Sequence, residues 1–363
     1  MCVGNILLQI LFIMKLLFFN LICLSIFFSS CISERKMTDL FDVEEYLVPQ
    51  SVALEHDSIQ NPILMRVVNK RLFLSNAFCS PILTVFDCVN GKCIGHFGNK
   101  GVGENEFVDF NSISSLNHSL VLYDNNKSEC IIIEDVYSLD DYDRIKIQRS
   151  EGFQPFNIVG LDKDLLLGTG IIKNGRFALL DKDGTLLSVF GQYPLENETE
   201  KQNYISDAFA YQSHVAYLSS TKSLAVGNYF GEGISFYDMS DFLSPKLVRD
   251  IQLRYPSYKD TSNDGSLSVT FTKDNVIGFI DLVPFGNTFI GLYCGEKKER
   301  GKMWRGGDIL LFFDSSGSPL KEVKLSEKYL QLSVIGSDLY LLGIDSKTDD
   351  YVIKKVNLKK VIV

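Results

Sequence analysis

After Leu40 almost no stretch repeats apolar residues at helical spacing; short β-branched and aromatic runs bounded by Gly, Asn and Asp recur instead. Thr84-Val85-Phe86-Asp87 leads to Gly91 and then Phe97-Gly98. Ala178-Leu179-Leu180-Asp181 leads to Gly184 and then Phe190-Gly191, the same hairpin with a one-residue difference in its turn. Leu311-Phe312-Phe313-Asp314 to Gly317 keeps the strand and turn without the closing Phe-Gly, and weaker copies end at Asp135 and Asp238. Asp87, Asp135 and Asp181 stand about fifty residues apart, the period of a repeated four-stranded unit. In such a unit the apolar strand packs between neighbours, Asp and Gly make the turn, and the Phe of the return strand fills the gap between sheets. One unit cannot bury both its faces. Radial stacking buries them and leaves only short sheet edges, which predicts a β-propeller.

The units read as Ile63–Gly98, Glu106–Arg149, Gln154–Gln192, Tyr204–Arg254, Asn275–Ser326 and Tyr329–Leu358, six in all. The last shows only the strands Leu330–Ile335, Leu339–Ile344 and Tyr351–Leu358, and a strand near Glu45–Leu54 would supply its fourth. The expectation is an all-β, six-bladed β-propeller over residues 40–363, its ring closed by an N-terminal strand completing the last blade. The hairpin signature, with the stretch Phe97-Gly98-Asn99-Lys100-Gly101-Val102-Gly103-Glu104-Asn105-Glu106-Phe107, resembles six-bladed propellers of the NHL and TolB-like kind. In particular it is similar to the lipoprotein propellers of Bacteroidetes bacteria. That resemblance implies fold and not activity.

Ahead of the repeats, Ile6 to Phe28 is apolar apart from Gln9, Lys15, Asn20 and a few small residues. A membrane-spanning helix needs about 20 such residues. A signal peptide needs a basic start, an apolar core of roughly 7–15 residues and a small-residue cleavage site. Met14-Lys15, Leu16 to Phe28 and then Ser29-Ser30-Cys31 fit the second pattern, with translation starting at Met14. The site resembles the lipobox of bacterial lipoproteins, although Phe28 stands where Leu, Val or Ile is usual; Cys23 follows the bulky pair Leu21-Ile22. The resemblance implies a signal peptide over residues 1–30, lipidation at Cys31, a tether over 31–39, and anchoring in the bacterial cell envelope, at the outer membrane. The partner so implied is the membrane, reached through the lipid.

A formal charge of −9, with Lys and Arg scattered or matched by acids, argues against a phosphate-tracking surface, so nucleic acid is not an expected partner. Cys79, Cys88, Cys93, Cys130 and Cys294 follow Cys31, too few for a dense disulfide framework. Cys88 and Cys93 flank Val89-Asn90-Gly91-Lys92. If Asn90-Gly91 is a two-residue turn, they form a non-hydrogen-bonded pair with Cα atoms about 4.5 Å apart, at the short end of disulfide range. A bridge and two reduced thiols are both open. With no CxxC, and His56, His96, His118 and His214 far apart, local zinc spacing is absent.

No GxSxG, HExxH or phosphate-loop sequence occurs. Asp181-Lys182-Asp183-Gly184 lacks the Glu an EF-hand loop needs at its twelfth position, which is Gln192. No catalytic residue, metal or cofactor is therefore assigned. The starts of the inner strands offer Asp109, Asn111, Asn157, Asp207 and Asp281, which would line a water-filled channel or, as in six-bladed lactonases, hold a divalent cation. The connection Cys294–Asp308 carries Lys297, Lys298, Arg300, Lys302 and Arg305 around the only tryptophan, Trp304. It is either a solvated loop or a binding rim, in which Trp304 gives an apolar surface and Arg300 and Arg305 give planar donors. The expected function is binding of a protein, peptide or glycan by a propeller face. The alternative is a metal-dependent hydrolase of the lactonase or esterase type.

Overall fold

The computed structural model describes residues 35–55, 61–162, 164–194, 196, 203–262, 267–297 and 306–361. It divides into residues 1–36, of which Arg35 and Lys36 are described, and a folded unit, Met37–Val363. The leader and Cys31 lie outside the described residues. The folded unit begins three residues before Leu40, because Met37 is fully buried and its N–H donates to Glu232 Oε1 at 3.1 Å.

Two short strands come first, β1 (Glu44–Leu47) and β2 (Gln50–Ser51). Blade one is β3 (Pro62–Val68), β4 (Arg71–Asn76), β5 (Leu83–Asp87) and β6 (Cys93–Phe97). A small parallel pair, β7 (Asn99–Lys100) and β8 (Glu106–Phe107), folds the glycine-rich stretch onto itself. Blade two is β9 (Ser112–Leu116), β10 (Ser119–Asp124), β11 (Glu129–Ile133) and β12 (Asp143–Lys146); blade three is β13 (Phe153–Asp162), β14 (Leu165–Ile172), β15 (Phe177–Asp181) and β16 (Leu186–Phe190). A helix, α1 (Tyr204–Ala210), precedes blade four: β17 (Ser213–Leu218), β18 (Ser223–Asn228), β19 (Glu232–Asp238) and β20 (Lys246–Arg254). The hairpin β21 (Tyr258–Asp260) and β22 (Val269–Phe271) leads to blade five: β23 (Phe279–Phe285), β24 (Thr288–Tyr293), β25 (Gly307–Asp314) and the first part of β26 (Pro319–Ile335). The rest of β26 opens blade six, followed by β27 (Asp338–Ile344) and β28 (Tyr351–Asn357).

The expected unit boundaries hold to within four residues except at the starts of the second, where Glu106–Phe107 pairs with β7 and blade two begins at Ser112, and of the fourth, where Tyr204–Ala210 is helical. Asn203 is the reason: its Oδ1 accepts the Ile205 N–H and caps a helix. The strand expected near Glu45–Leu54 is divided. β1 pairs in parallel with Glu322–Leu325 of β26, on blade five, and β2 pairs with Lys354 and Lys355 of β28 as the fourth strand of blade six.

Middle strands such as β18 are buried at every position because neighbouring blades cover both faces, whereas the outer strand β20 is exposed over its first half. One apolar cluster joins each successive pair of blades, and a sixth, of Met65, Val67, Leu72 and Phe86 with Tyr340, Leu342 and Ile353, joins blade six to blade one. The repeated Asp makes the outer turn through its carboxylate. Asp181 Oδ1 accepts from the N–H groups of Asp183 and Thr185, and Asp314 Oδ1 from those of Ser316 and Ser318. Phe97 and Phe190 are buried and cross to the next blade, Phe97 against Tyr142 and Phe190 against Tyr237.

The two-residue turn considered at Asn90-Gly91 is not the one formed, and the register of Cys88 and Cys93 changes with it. Asp87 Oδ1 accepts from Val89 and Asn90 N–H, while the Asp87 N–H reaches the Lys92 carbonyl, so the connection is longer than two residues. Cys93 therefore stands opposite Phe86, and both cysteines are free thiols. Burial pushes the Cys88 thiol up to about 11.

Candidate functional site

The inner strands bring polar residues to a central channel that holds a series of cavities. The innermost, about 100 Å³, is lined by Arg66, Asn111, Asn157, His214, Asp281 and Gln331 among others. It shares Arg66 with a second cavity of about 230 Å³ toward the turns that follow the inner strands. Toward the other face it shares Asn111, Asn157, Thr169 and Ser213 with a mouth cavity of about 380 Å³. That is the size of a small-ligand site.

The mouth is built by blades two to four. Along β13 the pairing with β14 shifts between Pro155 and Asn157, a bulge that turns Phe156 and Asn157 to the cavity. Gly170 permits it: its φ is 145°, and a Cβ there would lie 2.5 Å from the Phe156 nitrogen. The crossover from blade three to blade four supplies Tyr193, then Phe209 on α1, then Tyr211. Phe156 and Phe209 lie 5.1 Å apart, Tyr193 and Tyr211 5.5 Å. Both tyrosine hydroxyls are tied to backbone, Tyr193 to Gly170 and Tyr211 to Pro194, so the rings are held in place.

Arg176, in the turn between β14 and β15, is the charged side chain of this wall. It is 2% exposed. Its Nη2 donates to Ser213 Oγ at 2.7 Å and to Asn228 Oδ1, while Nε and Nη1 are buried without an acceptor. The guanidinium lies 5.1 Å from the Phe177 ring centre, 5.7 Å from Tyr211 and 5.9 Å from Tyr193. Burial lowers its pKa from the ordinary arginine value.

Of the residues expected from sequence, Asn111 and Asn157 line the mouth, and Asp281 lies in the inner cavity. Asp281 is committed to the fold: its carboxylate accepts the Leu282 and Leu332 N–H groups and so ties blade five to blade six. His214 Nδ1 is 3.9 Å from it, and burial holds that imidazole below the usual range. Asp109 lines none of these cavities, and Asp207 is not on an inner strand but on α1, where it accepts from the Tyr258 hydroxyl. Among the described residues no three His, Cys, Asp or Glu side chains gather as metal ligands. Arg300, Trp304 and Arg305 lie outside the described residues. Their connection leaves β24 and enters β25 as Arg176's turn leaves β14 and enters β15, so Tyr293 and Gly307 stand at the same face as the mouth.

Sequence reading missed Arg176 and the aromatic rings. A signal for Arg176 was present: with the hairpin aspartates aligned, Arg176 occupies the position of Ile82 and Ile309 in the sister copies. A charge where the repeat calls for an apolar residue marks a departure from pure packing. The rings on the crossover have no counterpart in the repeat.

Among the described residues no helix is long and apolar enough to cross a membrane. A search of curated proteins finds no match. Among solved structures, a member of the DUF4221 family from Bacteroides vulgatus aligns with a TM-score of 0.52 at 11% identity, covering 85% of this chain and 95% of that one. A Bacteroides fragilis protein assigned as exported aligns with a TM-score of 0.50 at 10% identity, covering 87% and 98%. These likenesses concern the fold. The family model "TolB-like 6-blade propeller-like" matches residues 42–335, and the chain belongs to that family.

Proposed function

We propose that this chain is a lipid-anchored binding protein of the bacterial cell envelope, which takes part of a larger ligand into the mouth cavity without transforming it. The observation that carries the reading is the mouth itself: ligand-sized, walled by aromatic rings of which Tyr193 and Tyr211 are fixed through their hydroxyls, and floored by the neutral hydrogen-bonding groups Asn111, Asn157 and Thr169. Such a wall orients a guest. The Ser29-Ser30-Cys31 site supports the envelope location, and the fold likeness to a Bacteroides fragilis protein assigned as exported agrees with it. The basic connection around Trp304, starting and ending at the same face, would extend the rim for a protein, peptide or glycan.

The test has two arms. Cys31→Ala should release the protein from the membrane fraction or leave it unprocessed, and unchanged partition into detergent would remove the anchor. On an array of envelope glycans and peptides, a Phe156→Ala, Phe209→Ala double variant should lose the wild-type signal while keeping its melting temperature. Retained binding would remove the mouth as the site.

A further inference from the structure

We propose that Arg176 receives an oxyanion carried by the ligand, and that the group seated in the mouth is an acidic sugar residue. This rests on the reading of the mouth as a binding site.

The first ground is the state of the guanidinium. A buried cation without a counter-charge costs several kcal/mol, so proteins generally pair it. Two less buried arginines are paired, Arg254 at 2.9 Å from Glu232 and Arg144 at 3.0 Å from Glu129, whereas Arg66 in the inner cavity donates from Nη2 to the Ile113 carbonyl. Arg176 has neutral partners at Nη2 alone, leaving three N–H bonds at Nε and Nη1 with no acceptor. The nearby rings offset part of the cost through their π faces, but they do not accept those hydrogens as an oxyanion would.

The second ground is the charge of the wall. Among the described residues no Asp, Glu or Lys lines the mouth, although the chain carries a formal charge of −9. Arg176 is the charged side chain among the described residues that line it. The third is the neutral remainder. The oxygens of Asn111 and Asn125 already accept from the Asn125 N–H and from Arg149, which leaves their amide N–H groups to donate, while Gln212 offers both an N–H and an oxygen to sugar hydroxyls, and the tilted Phe156–Phe209 pair offers faces for the C–H side of a sugar ring. The sister position in blades one and five is isoleucine, so packing between β-strands does not require the charge.

The experiment is calorimetric titration of the full chain in detergent with oligosaccharides of glucuronic or galacturonic acid, with their neutral glucose and galactose counterparts, with sulfated sugars, and with short peptides bearing a free C-terminus. Acidic oligosaccharides should bind, the neutral ones more weakly by about 10- to 100-fold, the weight of a hydrogen-bonded charge. Arg176→Gln should lose that difference and Arg176→Lys should recover part of it. Because Arg176 also bridges Ser213 and Asn228, the wild-type comparison of acidic with neutral sugars stands even if the variants do not fold. Sulfated sugars binding as well as carboxylated ones would still support an oxyanion receptor. Neutral sugars binding equally would overturn the role of Arg176 and leave the mouth as a site; peptides binding in place of sugars would overturn the sugar; silence from every probe would overturn the proposal, and only an array signal lost in the Phe156, Phe209 variant would then uphold the mouth.

Discussion

Gly317 closes the turn of the fifth blade at φ 83°, and a Cβ placed on it would stand 2.2 Å from the ring of Phe236 in the blade beside it. Backbone and packing thus both call for glycine. Gly336 separates the two: φ is 58° there, but nothing lies within 4 Å of the added carbon. Gly336→Ala should cost about 1–2 kcal/mol, the left-handed penalty alone. Gly317→Ala should cost a further 1–3 kcal/mol or so, as an overpacked core does. Urea unfolding of the two variants checks this, and equal losses would mean that Phe236 gives way freely. The same resolution governs what the sequence revealed of the site. Asn111 and Asn157 were legible because they fall near the starts of inner strands, where the channel is polar. Arg176 was legible only by setting one hairpin copy against another, and Tyr193, Phe209 and Tyr211 were not legible because their crossover repeats nothing.

At the scale of the element, the repeated hairpin is an aspartate turn whose carboxylate replaces missing backbone acceptors. Burial opposes ionisation of Asp314, but the hydrogen bonds from Ser318 and Ser316 outweigh it and hold the carboxyl below its ordinary value. Hydrogen bonds from the Lys347 and Thr348 N–H groups do the same for Asp345. A depressed carboxyl stabilises the fold fully above its unfolded pKa, and that contribution fades as the pH falls through the lower folded value. Asp314→Ala should therefore cost about 1–2 kcal/mol near pH 7. The difference from wild type should shrink below about pH 4. A gap independent of pH in urea titrations would show that shape, not charge, is lost. These turns were readable from Asp and Gly spacing, and with them the unit boundaries. The register at Cys88 and Cys93 was not, because Asn90-Gly91 also suits a shorter hairpin and only the Asp87 carboxylate decides between them.

The whole ring adds a feature that no single hairpin implies. The segment from Met37 to Glu55 runs across four blades: Met37 meets Glu232 of blade four, β1 lies on β26 of blade five, β2 on β28 of blade six, and the Glu55 N–H reaches the Gly91 carbonyl of blade one. Ion pairs at 2.7 and 2.8 Å, Lys321 with Glu45 and Lys324 with Glu44, fasten its middle. The sequence predicted one strand here rather than a strap because β1 and β2 are short and largely exposed, with no apolar run to assign them. Deleting residues 37–51 should lower the urea midpoint while leaving the circular dichroism of a β-sheet protein; an unchanged midpoint would make the strap dispensable. Its position also sets how the ring answers to tension. A pull on the chain ahead of Met37 enters through the buried methionine, passes to the pairing of β1 with β26 and then to that of β2 with β28, before any inner strand is strained. The ring would yield by unlacing this strap from its rim, with the channel mouth intact, long before a blade is drawn out.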